Sequence, residues 1–178
     1  MEANNPFTQF IFQIFIFCAI LIIGYTCNFY YLAFLSSRRK DSNSVTEVGE
    51  PTITIQLPIY NEKYVATRLV DAVCEQDYPK DKMRIMVLDD SDDDTVQTMS
   101  KTIKKYQSLG FDIEHVRRGT RTGYKAGALK HAMKSTTSDF VAIFDADFIP
   151  PKWYLKRAIP YFAKPNIGLV QCLSLIHI

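Results

Sequence analysis

Phe140-Val141-Ala142-Ile143-Phe144-Asp145-Ala146-Asp147 is an apolar run that ends in two acidic residues, and the interpretation of the whole domain starts from it. Five apolar residues in a row predict a strand, and two carboxylates follow it directly. The spacing of one residue lets Asp145 and Asp147 reach the same divalent cation, and ligands that offer only oxygen favour Mg or Mn. The alternative is a polar strand end before a turn at residues 149–151.

Segments on both sides of this strand extend the pattern. Short β-rich runs alternate with longer runs of helical period, which implies right-handed crossovers and a mainly parallel sheet with helices on both faces. We therefore predict a Rossmann-like α/β domain over residues 51–172. The predicted strands are Thr52–Leu57, Arg84–Leu88, Asp112–Val116, Phe140–Phe144 and Ile167–Gln171; the predicted helices are Glu62–Gln76, Thr95–Gln107, Tyr124–Lys134 and Lys152–Phe162.

Polar residues collect where the predicted strands end. In parallel α/β sheets, ligands bind outside the carboxyl ends of the strands. The segments Pro58–Glu62, Asp89–Asp94 and Arg117–Lys125 follow the first three strands, as Asp145 and Asp147 follow the fourth. We expect these four segments to meet at one edge of the sheet.

The acidic segment Asp89-Asp90-Ser91-Asp92-Asp93-Asp94-Thr95 lies between a strand and a helix. Some of its carboxylates suit the N-terminus of the following helix. A calcium-binding EF-hand loop is excluded, because Thr95 and Lys101 occupy the positions of its glycine and its last acidic ligand.

The segment Arg117–Gly127 brings basic residues and glycines to the start of a helix. Backbone amides, the helix dipole and Lys125 together suit a phosphate group. The segment matches neither GxGxxG nor the GxxxxGK[ST] loop, and a solvated basic turn remains an alternative. With the acidic segments, it indicates a nucleoside diphosphate that binds together with a metal ion.

The N-terminal segment is apolar, with no charged residue from Ala3 to Ser37. Residues 7–37 are long enough for a transmembrane helix, which needs about 20 residues. Arg38, Arg39 and Lys40 follow it, so the positive-inside rule predicts an integral membrane protein whose later domain faces the cytosol. A secretory signal peptide would need basic residues before the apolar run and a small-residue cleavage site after it. Residues 38–50 are interpreted as a cytosolic linker.

The overall composition excludes several classes of function. A net charge of +2 with scattered Lys and Arg does not favour a nucleic-acid-binding surface. Four cysteines without a CxxC pair, and three histidines without ligand spacing, exclude a common zinc site and favour reduced structural thiols.

The four motifs, taken in order, resemble the family 2 inverting glycosyltransferases with a GT-A fold, and most closely their cellulose synthase-like and glucomannan mannosyltransferase-like members. The likeness covers roughly residues 52–171. It is carried by Pro58-Ile59-Tyr60-Asn61-Glu62, Leu88-Asp89-Asp90-Ser91, Arg121-Thr122-Gly123-Tyr124-Lys125-Ala126-Gly127-Ala128-Leu129 and Phe144-Asp145-Ala146-Asp147.

This resemblance implies the transfer of a hexosyl unit from a UDP- or GDP-linked sugar, such as UDP-glucose or GDP-mannose, to a polysaccharide or lipid acceptor. Tyr60 and Glu62 would line the nucleoside pocket, and Asp89 with Asp90 would hold the base or ribose. Lys125 would contact the diphosphate. Asp145 would contact the donor and, with Asp147, the metal ion.

The family's general base belongs to a later Thr-Glu-Asp-like motif, which this sequence does not contain. The resemblance therefore implies a fragment that binds donor weakly and transfers nothing. Residues 173–178 resemble a translated sequencing adapter and are interpreted as an artefact, although four of these six residues are apolar enough to extend a strand.

Two other functions compete with this interpretation. A phosphatase of the haloacid dehalogenase type also carries a DxD motif, but after its first strand and with Thr or Val where this chain has Ile149. A membrane-tethered interaction domain without catalysis would show no metal-dependent nucleotide binding. It would also leave the convergence of four polar segments unexplained.

Overall fold

The computed structural model describes residues 5–38 and 49–171, which fall into two compact units, residues 1–44 and 45–178. The linker is described only at residues 38, 49 and 50, and the segment 173–178 lies outside the described residues. The two units are described separately.

The N-terminal unit is a single helix, α1 (Pro6–Arg38), of 33 residues. None of its side chains is buried, and an 18-residue window reaches a mean hydropathy of 2.4. At a rise of 1.5 Å per residue its length is roughly 50 Å, more than the ~30 Å hydrocarbon core of a bilayer. The predicted helix is thus present, and it is long and apolar enough to cross a membrane.

The second unit is built on a four-stranded sheet in which every neighbouring pair is parallel, as predicted. The spatial order is β3-β2-β1-β4. The strands are β1 (Ile53–Ile59), β2 (Met83–Asp89), β3 (Asp112–Val116) and β4 (Phe140–Ile143). Because all four strands run in the same direction, their carboxyl ends lie at one edge of the sheet.

Helices cover both faces of this sheet. On one face, Ile85 and Val87 of β2 pack with Leu69 of α2 (Lys63–Cys74) and Met99 of α3 (Thr95–Ser108). On the other face, the alternate β2 residues Met86 and Leu88 pack with Ala128 and Ala132 of α4 (Tyr124–Met133). Successive strand residues point to opposite faces, so one apolar strand supplies both cores.

Two predicted elements were wrong. Residues 167–171 form no strand: no described strand pairs with them, and Leu169 is 81% exposed. Strand propensity alone is insufficient, because a strand needs a neighbouring edge to pair with. The predicted helix 152–162 is instead a short α5 (Tyr154–Ala158) followed by a 3₁₀ helix (Ile159–Ala163). Pro160 explains the break, since proline lacks the amide hydrogen that an α-helix interior requires.

The remaining bounds agree within two residues. A further 3₁₀ helix (Lys80–Lys82) precedes β2. Strand β4 ends at Ile143 rather than Phe144, although the Phe144 amide still donates to the Gln56 carbonyl at 3.3 Å.

Candidate functional site

The candidate site lies at the carboxyl edge of the sheet, where the four polar segments meet as predicted. Side-chain contacts connect the segments in pairs: Asn61 after β1 bonds Asp92 after β2, Asp90 pairs with Arg118 after β3, and Lys125 of α4 pairs with Asp145 after β4. The parallel sheet is the reason, because it delivers every strand end to the same edge.

Asp89 is the most deeply buried of the predicted site residues, and its side chain is 0% exposed. One carboxylate oxygen accepts the Ser91 amide hydrogen at 2.9 Å, and the other lies 2.8 Å from His115 Nε2. Burial by itself raises the pKa of Asp89, but the hydrogen bonds from His115 and Ser91 outweigh it and lower that pKa overall. Asp89 therefore orients the loop after β2, and its contact with a base or ribose stays a prediction.

Asn61 joins the ends of β1 and β2. Its amide donates to Ser91 Oγ at 2.9 Å, and its side-chain nitrogen donates to Asp92 Oδ1 at 2.8 Å. The Asp92 amide donates back to Asn61 Oδ1 at 3.1 Å. Asn61 has a φ of 54°, a left-handed conformation that asparagine tolerates better than most residues. These hydrogen bonds hold the neighbouring Tyr60 and Glu62 at the carboxyl edge of the sheet.

Tyr60 carries a stacked cation on its ring. The Arg121 guanidinium carbon lies 3.2 Å from the Tyr60 ring centroid and 5.0 Å from that of Tyr124. Such stacking is favourable because the aromatic face is negative. The aromatic residue expected in the nucleoside pocket thus offers a flat surface, which Arg121 covers in this structure.

Asp90 pairs with Arg118, and both side chains are largely buried, at 8% and 9% exposed. The pair is bidentate, with Arg118 Nε donating to Asp90 Oδ1 at 3.0 Å and Nη2 donating to Oδ2. Arg117 donates to the Ser91 carbonyl at 2.8 Å. Arg117 and Arg118, two of the three arginines in the predicted basic segment, therefore bind protein groups.

Lys125 and Asp145 form an ion pair at the mouth of the site, with about half of each side chain exposed. Burial raises the pKa of Glu62, and the charges of Asp147 and Asp145 raise it further, while Lys125 opposes them. The carboxylates of Asp145 and Asp147 thus place negative charge near Glu62. A cation would be stabilised there.

The donor set fits a hard divalent ion that also binds a ligand. No group of three or more His, Cys, Asp or Glu residues in the described ranges 5–38 and 49–171 is arranged to hold a metal. Asp145 and Asp147 would supply two oxygen ligands, and Mg²⁺ commonly takes its remaining ligands from water and substrate phosphates. The residues thus suit a metal that arrives with a phosphorylated ligand.

A cleft of about 540 Å³ runs beside β4, with Lys125, Asp145 and Asp147 among its lining residues. Its other walls are mainly apolar, from Phe140, Phe148, Phe162 and Leu169 among others. A cleft with a charged part and an apolar part suits a ligand with a phosphate at one end and a less polar surface at the other.

His115 was missed by sequence reasoning, and the contacts of Asn61, Ser91 and Arg121 were not predicted, although their segments were expected at the site. His115, Ser91 and Asn61 support the expected site residues, and Arg121 stacks on Tyr60. The position of His115 one residue before the end of β3 was the available signal, since it places the side chain near the carboxyl edge. The partner of each residue depends on strand order.

Comparison with known proteins gives one consistent result. Residues 54–177 match the family model described as Glycosyl transferase family 2. The chain is 43% identical over 133 residues to "Probable glucomannan 4-beta-mannosyltransferase 1" of Arabidopsis thaliana, covering 70% of this chain and 24% of the relative. It is 39% identical over 137 residues to "Glucomannan 4-beta-mannosyltransferase 9" of the same plant, covering 74% and 26%. The chain thus spans about a quarter of the length of these curated relatives.

Solved structures agree with the family match. The mannosyltransferase PcManGT from Pyrobaculum calidifontis, in complex with GDP-Man and Mn²⁺, superposes with a TM-score of 0.74 at 29% identity, covering 85% of this chain and 44% of that one. TarS of S. aureus gives a TM-score of 0.55 at 26% identity, covering 63% of this chain and 19% of that one. These likenesses confirm the predicted Rossmann-like fold of the GT-A type.

Proposed function

The chain belongs to glycosyl transferase family 2, and from this premise we propose that its sheet edge binds the nucleoside diphosphate of a sugar donor. The observation that carries the proposal is the ion pair of Lys125 with Asp145 in a cleft that Asp147 also lines. A cation for the diphosphate thereby lies beside two carboxylates for a metal ion. Donor binding is the part of the reaction that these residues support.

The proposed donor is GDP-mannose. The Arabidopsis relatives are named as glucomannan mannosyltransferases, and the Pyrobaculum enzyme is described with GDP-Man bound. The family match over residues 54–177 includes all four site segments. UDP-glucose is the competing donor and forms the second arm of the test.

Each residue has a distinct part in the proposed site. Lys125 leaves Asp145 to meet the diphosphate, and Tyr60 offers its ring face to the nucleoside once Arg121 has moved off the ring. Asp145 and Asp147 would hold Mn²⁺ or Mg²⁺, which when bound would supply stabilisation of negative charge on the departing phosphate. The Pyrobaculum complex with Mn²⁺ supports manganese. Asp89 and Asp90 act through the loops that they hold, as well as through any contact with base or ribose.

For the whole protein we propose transfer of the hexosyl unit, with inversion, to a polysaccharide acceptor. The support is the name of the relatives, which describes the synthesis of glucomannan. A lipid acceptor is the alternative. Transfer of the hexosyl unit to mannan oligosaccharides by the whole protein distinguishes a polysaccharide acceptor from a lipid acceptor.

Membrane anchoring belongs to the same proposal. Helix α1 has the length and hydropathy of a membrane span, and Arg38, Arg39 and Lys40 follow it. We propose that residues 7–37 cross the bilayer, that 38–50 link them to the catalytic domain at 51–172, and that this domain faces the cytosol.

Calorimetric titration of the detergent-purified chain tests donor binding. GDP and UDP are each titrated with and without Mn²⁺, after circular dichroism has shown that the chain is folded. We expect GDP to bind only with Mn²⁺, and Asp145→Ala to abolish the metal-dependent part of the affinity.

The control is Asp112→Ala, because Asp112 is an exposed carboxylate at the opposite end of β3. This variant should bind GDP as the unsubstituted chain does. Binding of UDP alone would replace the proposed donor with UDP-glucose. A folded chain that binds neither nucleotide would favour the membrane-tethered interaction domain.

A further inference from the structure

The turn before α4 leads into Lys125, the second residue of that helix, and one largely buried side chain holds the turn to the sheet. We infer that Arg118 is a positioning residue, which sets the place of Lys125 for the diphosphate of the donor by fastening this turn to Asp90. The inference rests on the proposed function. It gives the second arginine of the basic segment a role other than phosphate binding.

The contacts of Arg118 run in two directions. Towards the sheet, Nε donates to Asp90 Oδ1 at 3.0 Å, with Nη2 on the other oxygen. Towards the turn, Nη1 donates to the Thr122 carbonyl at 3.0 Å and Nη2 to the Tyr124 carbonyl at 3.1 Å. A single planar group thus joins the end of β2 to the residues on both sides of Gly123.

Asp90, the carboxylate to which Arg118 binds, is itself held in place. The Asp90 amide donates to the Ile59 carbonyl at 3.1 Å, which attaches Asp90 to the end of β1. The Arg118 and Asp90 side chains are 9% and 8% exposed, so solvent competes little for the pair. The guanidinium charge faces a carboxylate and two carbonyl oxygens. Lys125, with a side chain 52% exposed, is the group able to meet a ligand.

The turn needs the contacts from Arg118 because its backbone conformation is unfavourable. Gly123 has a φ of 74° and Tyr124 a φ of 48°, and a left-handed conformation is costly for a tyrosine. The turn is also tightly packed, since a Cβ atom on Gly127 would lie 2.7 Å from Arg118 Nη1. Residues in such conformations persist only where surrounding contacts impose them.

Arg118→Lys in the full chain tests this inference. Lysine keeps the charge but cannot form the planar fork that reaches Asp90 and both carbonyls. Hydrogen exchange of residues 121–127 should become about tenfold faster, and GDP affinity with Mn²⁺ should fall about tenfold, the effect of losing one charge-assisted hydrogen bond.

The matched control is Arg84→Lys. Arg84 also joins a carboxylate, Glu114, to a carbonyl, that of Ser135, but at the start of β2. This variant should leave both exchange of 121–127 and GDP affinity unchanged. If Arg118→Lys does not fold, Asp90→Asn serves instead, because it removes the anchor charge and leaves the bonds to the turn.

The outcomes separate the two proposals. Unchanged exchange of 121–127 in Arg118→Lys would overturn the positioning role, whatever the nucleotide result. Faster exchange with unchanged GDP affinity would overturn it too, since the turn would then be held for stability alone. Absence of GDP binding by the unsubstituted chain, with the exchange effect intact, would instead overturn the proposed function.

Discussion

Gly127 and Thr122 lie so close together that a Cβ atom on Gly127 would be 2.1 Å from the Thr122 carbonyl oxygen. The first turn of α4 therefore has no space for a side chain at this position. In an unconstrained helix interior, alanine is more favourable than glycine by about 1 kcal/mol. Here the collision reverses that preference.

We expect Gly127→Ala to destabilise the protein by about 1–3 kcal/mol, the usual cost of overpacking. Urea unfolding measures the change. Gly168→Ala is the control, because its Cβ would meet nothing within 4 Å. Increased stability of Gly127→Ala would show that the turn relaxes easily.

His115→Phe should lower the free energy of unfolding at about pH 7 by about 1–3 kcal/mol, because it leaves the buried Asp89 without its side-chain partner. His131→Phe, at an exposed position in α4, is the control. Urea unfolding at several pH values gives both free energies.

The pH dependence of this effect has a defined sign. The folded pKa of Asp89 is lowered from 3.8, so the stabilisation is present above pH 3.8 and is lost as the pH falls through the folded pKa. The difference between the unsubstituted chain and His115→Phe should therefore shrink below about pH 4. A difference that grows on acidification would contradict this assignment.

Lys125→Ala should separate binding from stability. The Lys125 and Asp145 side chains are 52% and 56% exposed, and exposed ion pairs contribute about 0–1 kcal/mol to stability. Thermal unfolding should therefore change little, while GDP affinity falls about tenfold. Lys130→Ala, on the same helix and also exposed, should change neither quantity. A large loss of stability in Lys125→Ala would indicate a structural role.

Tyr60→Ala should weaken GDP binding about tenfold, because stacking of a base on an aromatic ring contributes about 1–3 kcal/mol. Tyr60→Phe keeps the ring and should bind normally. Tyr64→Ala removes a tyrosine that is 85% exposed, and it should also bind normally. Calorimetric titration measures all three. Normal binding by Tyr60→Ala would remove Tyr60 from the nucleoside pocket.

Helix α1 should keep the chain in alkaline-extracted membranes. In sealed vesicles with their cytosolic face outward, added protease should digest residues 49–171, because the basic residues follow the helix. The mass of the membrane-bound chain is measured as the control. If the apolar segment were a signal peptide, it would be cleaved off and the domain would be protected inside the vesicles. Protection of the domain would contradict the cytosolic orientation.

Much of the site could be predicted from sequence because the topology is simple. Strands β1, β2 and β4 are mainly apolar and are followed by polar residues, and the more polar β3 is followed by the basic segment. The placement of Glu62, Lys125 and Asp145 at one edge therefore followed from a parallel sheet. The hydrogen-bond partners of individual side chains did not follow from the parallel sheet. Asp89 and Asp90 are neighbours in the same motif, yet one is paired with His115 and the other with Arg118.

The apolar helix α1, the four strands, and the order in which polar segments follow them could all be predicted, because these features depend on local periodicity and composition. Tertiary structure alone decided that residues 167–171 form no strand and that Arg118 binds Asp90 and the turn before α4. A strand requires a paired edge, and a buried charge requires a particular partner. Both depend on which segments become neighbours in space, and that is set by the order β3-β2-β1-β4.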